Sequence, residues 1–209
     1  MKRIVLSLCI LALGFVGYRW IGSVNTDAVQ KARKNLELAR TNKGCRATNC
    51  DFTDGNFQKE NFDGLTLDGA IFNTSLSECS FKGTSLRGAI FDNTNLSYAD
   101  FSTEQGKKPT DLSNAKFVGH LKPDQFDQTK FDNAILDGTI FSNVIFRKNI
   151  SFKGAKIKND SFKLKKLEPY FSNVQFEVAP DKYETVTSVN FDQFKEWLIA
   201  KGAEIVQEK

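Results

Sequence analysis

The side chains that could do chemistry are few. His120 is the single histidine, and it stands alone in a turn-like stretch, Gly119-His120-Leu121-Lys122-Pro123. A nucleophile–base pair would normally recruit an imidazole, but this one reads as a surface turn residue. No glycine-rich phosphate loop and no zinc-ligand spacing occurs. Asp63, Asp68, Lys82 and Arg87 could be read as acids and bases lined up on one face, although scattered surface charge more often serves solubility. Neither a catalytic residue, a cofactor nor a metal site is expected.

The remaining reactive groups are thiols. Cys9 falls in an apolar leading segment, which leaves Cys45, Cys50 and Cys79. In an oxidising compartment a Cys45–Cys50 disulfide would close a short loop, a clamp of roughly 2–3 kcal/mol. A metal site would need further ligands. Cys79 sits where the pattern described next calls for a small residue, so it is expected to be a buried free thiol.

These groups are mounted on a five-residue rhythm. A large apolar residue returns at Phe52, Phe57, Phe62, Leu67 and Phe72; after one dropped residue it resumes at Leu76, Phe81, Leu86, Phe91, Leu96 and Phe101. Two places earlier a small residue usually stands: Ala70, Thr74, Cys79, Thr84, Ala89, Thr94, Ala99. Glu60 breaks that rule. Neither a helix nor a strand keeps one face inward at this period. A unit of five containing a turn does, if each unit forms one side of a coil. Nineteen Phe against two Trp and one Met suit a single slot filled repeatedly.

Segments such as Ala70-Ile71-Phe72-Asn73, Ala89-Ile90-Phe91-Asp92-Asn93 and Ala99-Asp100-Phe101-Ser102 resemble the pentapeptide repeat family, with its motif A(D/N)LXX, over about residues 50–157. The resemblance implies an all-β solenoid: a right-handed quadrilateral (four-sided) β-helix of pentapeptide repeats, four to a coil. The approach from Thr41 through Cys45 to Cys50-Asp51-Phe52 resembles exported members, in which a helix and a Cys pair precede the first coil. Coils stacked at about 4.8 Å would pair their backbone groups with one another. Four centres per coil give inward columns: Phe52, Phe72 and Phe91; Phe57, Leu76 and Leu96; Phe62, Phe81 and Phe101; Leu67 and Leu86. Outside, Asp63 should then lie beside Lys82 and Asp68 beside Arg87, exposed pairs worth about 0–1 kcal/mol each.

The array, expected over 50–165, is interrupted once by residues of loop composition at 102–111. Glu104, Gln105, Gly106, Lys107, Lys108 and Pro109 form a candidate interaction loop, since a loop on a rigid stack commonly carries recognition. The rhythm resumes at Leu112 and Phe117 and, after a shortening at His120-Leu121, runs through Phe126, Phe131, Leu136, Phe141, Phe146, Phe152 and Ile157.

Both ends carry additions. Lys2 and Arg3 precede the apolar run Ile4–Val16, so residues 1–24 read as a signal peptide or an uncleaved membrane anchor. Within 25–49 a helix is expected, begun by Asn25-Thr26-Asp27, ended by Gly44, and carrying Val29, Ala32, Leu36 and Ala39 on the face that caps the first coil. Residues 166–209 should form a second cap. There Leu167–Tyr183 read as irregular, and a helix over about 190–201 follows, with Asn190 as its cap, Gly202 as its stop and Phe191, Phe194, Trp197 and Leu198 on one side. Ile205 and Val206 could add a final strand.

Net charge is +4, three units of which lie in Lys2, Arg3 and Arg19, so the rest shows no concentrated basic face for nucleic acid. Residues 50–101 hold eight acids and three bases, and 102–170 hold eight acids and thirteen bases, which suits either a solvated surface or an end-to-end or charged contact. The expected function is non-catalytic: an exported scaffold, periplasmic, extracellular or anchored, binding an unknown protein partner and possibly homodimeric. Two alternatives are a gyrase-binding mimic of duplex DNA, which calls for an acidic rod, and a carbohydrate-active β-helix enzyme.

Overall fold

A computed structural model describes residues 26–41, 50–122, 124–158, 171–187 and 190–206. The leading segment 1–24, Asn25, Gly44 and Cys45 lie outside them.

Each five-residue unit turns the chain through one corner. The residue three places after a centre donates its N–H to the centre's carbonyl, as in Leu65 to Phe62 (3.2 Å), Ala70 to Leu67 (3.1 Å) and Ala89 to Leu86 (3.0 Å). The residue two places after the centre takes a positive φ: 69° at Gly64, 66° at Gly83, 49° at Asn93 and 58° at Asn133. This is a β-turn with a left-handed third residue, which accounts for Gly and Asn there. Lys59, Glu78 and Tyr98 hold the same conformation (φ 63°, 61° and 60°) with a Cβ, at a cost of about 1–2 kcal/mol each.

Successive coils pair in parallel. Asp51 pairs with Ile71 and Ser75 with Asn95, twenty places apart; Asn61–Ser80 and Thr66–Ser85 pair nineteen apart because of the dropped residue. In chain order the elements are α1 (Thr26–Arg40), β1 (Ile71–Phe72), β2 (Ile90–Asp92), β3 (Lys116–Val118), β4 (Ile140–Ser142), β5 (Ile145–Phe146), β6 (Lys156–Lys158), β7 (Phe171–Ser172), β8 (Gln175–Ala179), β9 (Lys182–Thr185), α2 (Phe191–Ala200) and β10 (Glu204–Val206). One sheet runs β1-β2-β3-β4-β7, entirely parallel.

Inside, the expected columns form. Phe62 stacks on Phe81 and Phe81 on Phe101, both at 4.7 Å between ring centroids and within 7° of parallel. Phe52, Phe72 and Phe91 repeat the arrangement at 4.9 Å. Neighbouring columns meet edge to face, as at Phe72–Phe81 (6.2 Å, 85°), so both favourable ring geometries are used together. Phe52, Phe62, Phe72, Phe81 and Phe101 are completely buried.

At the amino-terminal end α1 lies against the first coil, burying Ala32, Leu36 and Ala39. Arg33 donates to the Asn56 carbonyl (3.1 Å) and Asn35 to that of Asp51 (2.8 Å). Gly55 fills the small slot there because a Cβ would fall 2.2 Å from the Phe57 ring and 2.8 Å from Ala32. Glu60, the exception to the small-residue rule, faces the same helix and pairs with Arg40 at 2.6 Å.

The carboxy-terminal end corrects the expectation of irregularity over 171–183; residues 167–170 of that expectation lie outside the described residues. β7 continues the sheet on β4, with Phe171 over Phe141 at 6.1 Å, and β8 pairs in parallel with β5, setting Phe176 against Phe146. β9 folds back on β8. The final strand does form: β10 pairs in parallel with β6, placing Ile205 against Ile157. α2 buries Phe191, Phe194 and Leu198, and Gly202 ends it at φ 91°. Asn190 precedes the helix but does not cap it through its side chain. Its amide oxygen accepts from Thr187 N–H (2.8 Å) and hydroxyl (3.0 Å) instead.

Candidate functional site

The axis of the coil offers nothing to a ligand, because Phe and Leu fill it. Even the small slot is occupied chemically. Thr84 donates its hydroxyl to the Phe62 carbonyl one coil earlier (2.8 Å), Thr94 to Phe72 (3.0 Å), Thr129 to Leu96 (2.8 Å) and Thr139 to Leu112 (2.8 Å). These threonines therefore leave room for the neighbouring ring and also satisfy a buried acceptor. Cys79 makes the same contact, Sγ to the Phe57 carbonyl at 2.8 Å, and is a buried free thiol. Burial pushes its pKa up to about 12, so it is chemically quiet. Cys50 is buried at the entrance to the first coil; its expected partner Cys45 lies outside the described residues.

Asp63 and Asp68 do lie beside Lys82 and Arg87, though not as ion pairs with them. Asp63 accepts from the Ser80 hydroxyl (2.6 Å) and the Lys82 N–H (2.7 Å); Asp68 accepts from Ser85 (2.5 Å) and the Arg87 N–H (3.0 Å). Asp132 repeats this with Ser151 and the Lys153 N–H. The lysine and arginine side chains reach onward to the next coil instead, Lys82 to Asp100 at 3.2 Å and Arg87 to Asp111 at 3.9 Å. Burial works against the Asp100 carboxylate, but hydrogen bonds from Ser102 and the Lys82 ammonium outweigh it and hold its pKa below the ordinary range. These charges join coils. His120 is exposed. Among the described residues no helix is long and apolar enough to cross a membrane.

What projects is the loop. Its two feet are tied: Thr110 N–H donates to the Thr103 hydroxyl (3.1 Å), and the Thr110 hydroxyl donates to the Phe81 carbonyl (2.9 Å) while accepting from Gly83 N–H (2.9 Å). Lys107 N–H closes a turn on the Glu104 carbonyl (3.1 Å). Glu104, Gln105, Gly106, Lys107 and Lys108 are exposed and Pro109 half-buried. All six expected residues thus come together as one ridge.

A groove runs along each side of the ridge. One, of about 300 Å³, has Gly64, Gly83, Lys82 and Lys108 in its walls; the other, of about 290 Å³, has Asn133, Gly154, Lys156 and Glu204. Thr103, Glu104 and Lys107 border both. Reasoning from sequence missed the groove residues, yet the register contains them. Gly64, Gly83, Thr103, Asn133 and Gly154 each stand two places after a centre of the Phe62-Phe81-Phe101 column, which Phe131 and Phe152 extend. The insertion leaves the stack at a corner where three of these five positions are glycine, and the Asn133 side-chain amide donates to the Thr103 carbonyl at its foot (2.5 Å).

The family model for pentapeptide repeats matches residues 74–103, in eight copies. No curated protein matches the chain in sequence. Among solved structures it is similar to a pentapeptide repeat protein from the cyanobacterium Cyanothece 51142, at 22% identity over 50% of this chain and 65% of that one. The TM-score is 0.23, and the aligned part spans less than two thirds of that relative. The family match supports the pentapeptide repeat family, and residues 74–103 are repeats of that kind stacked into a β-helix solenoid.

Proposed function

We propose that this protein is an exported, non-catalytic scaffold whose outer faces and 104–109 ridge are offered to a protein partner. The observation that carries the reading is the contrast between a sealed axis and a ridge tied at both feet by Thr103 and Thr110. A filled solenoid has no interior in which to convert a substrate, whereas a rigid exposed ridge can recognise a surface. In the same proposal the helix is right-handed and four-sided, α1 and α2 close its two ends, and Cys45 bonds Cys50 to clamp the first closure. Residues 1–24 direct export and are then cleaved or retained as an anchor, and homodimerisation is open to the same outer faces.

The test is fractionation of the tagged full-length protein, followed by cross-linking in the compartment that holds it. The scaffold reading expects recovery outside the cytosol with one protein cross-linked at a residue of the ridge or of an outer face. Cytosolic recovery, with inhibition of gyrase supercoiling by the purified protein, would replace it by the DNA-mimic alternative.

A further inference from the structure

The two grooves differ in charge, and the difference names a ligand. In the groove beside Asn133, the bases Lys107 and Lys156 face the acids Glu104 and Glu204. In the groove beside Gly64, Lys82, Lys107 and Lys108 face Glu104 alone. Lys82 is already engaged by Asp100 at 3.2 Å. Lys107 and Lys108 make no ion pair among the described residues and are exposed.

The Gly64 wall of this groove is bare. Gly64 and Gly83 are corner residues at φ 69° and 66°; a Cβ built on Gly64 would meet nothing within 4 Å, whereas one on Gly83 would lie 3.2 Å from the Lys108 carbonyl oxygen. The lining is mostly apolar, and its three lysines supply ammonium groups on long apolar stems. An extended strand carrying carboxylates fits such a surface, its backbone over Gly64 and its acids at Lys107 and Lys108. A second copy of this chain fits less well. Its first-half acids are largely taken up within the molecule, Asp51 by Lys31, Glu60 by Arg40, and Asp63 and Asp68 by hydrogen bonds from the next coil.

We infer that the groove between the ridge and the Gly64–Gly83 corner binds an extended acidic segment of the partner protein. This rests on the scaffold reading and adds the partner's chemistry to it. The probe is a fluorescein-labelled peptide of alternating Glu and Ala, titrated with the full-length protein at about 0.15 M salt, where long-range attraction is screened. Saturable binding is expected, weakened about tenfold by Lys107→Glu with Lys108→Glu. The same charge change at Lys116 and Lys182, exposed elsewhere, should leave it within about twofold if attraction is local. Gly64→Asn fills the bare wall without changing charge and is also expected to weaken binding, which bulk attraction would not do.

Absence of saturable binding, equal losses from the two lysine pairs, or indifference to Gly64→Asn would each overturn the inference. So would equal affinity for a sulfated glycan of matched charge, which would make the groove a general polyanion site. If a partner is still cross-linked equally by wild type and by the Lys107→Glu/Lys108→Glu protein, the scaffold reading stands and this inference falls. Loss of that cross-link in the variant supports both.

Discussion

The coils before the ridge and those after it are built to one plan but not to one tolerance. From Phe52 to Phe101, rings within a column lie 4.7–4.9 Å apart. Across the ridge Phe91–Phe117 stays at 4.6 Å, but the spacing opens to 5.2 Å at Phe101–Phe131 and Phe131–Phe152, 5.1 Å at Phe117–Phe141 and 6.1 Å at Phe141–Phe171. The pairing offset changes as well. It is nineteen or twenty places in the first region, then thirty at Asp100–Lys130 and twenty-one at Lys130–Ser151. Extra residues are absorbed at corners while the centres stay in line. The ring column therefore tolerates insertion outside, at no loss in Phe91–Phe117, and is loosest at its carboxy-terminal pair Phe141–Phe171.

The contrast can be broken most directly by deleting rings. Phe81→Ala should destabilise by about 3–5 kcal/mol, and Phe171→Ala by about 1–2 kcal/mol less, because Phe171 stacks on one ring only, Phe141 at 6.1 Å, while Phe81 is stacked on both faces at 4.7 Å. Urea unfolding of both would show it, and equal losses would end the distinction between regions. A pH titration sharpens the first region. Cys79 has its pKa raised to about 12 by burial, against an ordinary thiol value near 8.5–9. Its contribution is thus complete below about pH 9, where both folded and unfolded thiols are neutral. It is lost as pH rises toward 12, because the unfolded chain ionises first. The wild type should lose more stability over that window than Cys79→Ala; parallel curves would mean that the thiol is not held as described.

The small slot should behave alike in both regions. Thr84→Val and Thr139→Val each remove the second donor of a carbonyl that keeps a backbone N–H, from Leu65 and Ala115, so each should cost about 0.5–1.5 kcal/mol. A difference beyond about 1 kcal/mol between them would show that loosened coils have lost this bond too. The smallest effect is expected at the corners. Tyr98→Gly and Gln128→Gly relieve left-handed residues (φ 60° and 52°) and should be neutral or stabilise by up to about 1 kcal/mol. Thermal melts of the pair would test whether corner strain is common to both.

Much of this plan is legible in the residues. Every fifth position repeats one environment, so the columns and the neighbours Asp63–Lys82 and Asp68–Arg87 follow from counting. Counting does not reveal which atoms meet. Thr84 looks small, and only coil geometry shows its hydroxyl at the Phe62 carbonyl. Asp68 looks paired with a cation, yet a backbone N–H and a serine reach it first. The strands at 171–179 were missed because their partners lie thirty places back, at Phe141 and Ile145, beyond the reach of a five-residue pattern. The ridge was visible as an insertion, but its grooves belong to other coils.

The decisive observation concerns the axis. In protein labelled only on its phenylalanine rings, nuclear Overhauser effects should link Phe62 to Phe81 and Phe81 to Phe101, with no exchange contact between these rings and water. Missing cross-peaks along that column, or water found beside it, would mean a hollow core, and with it an interior where the function could reside.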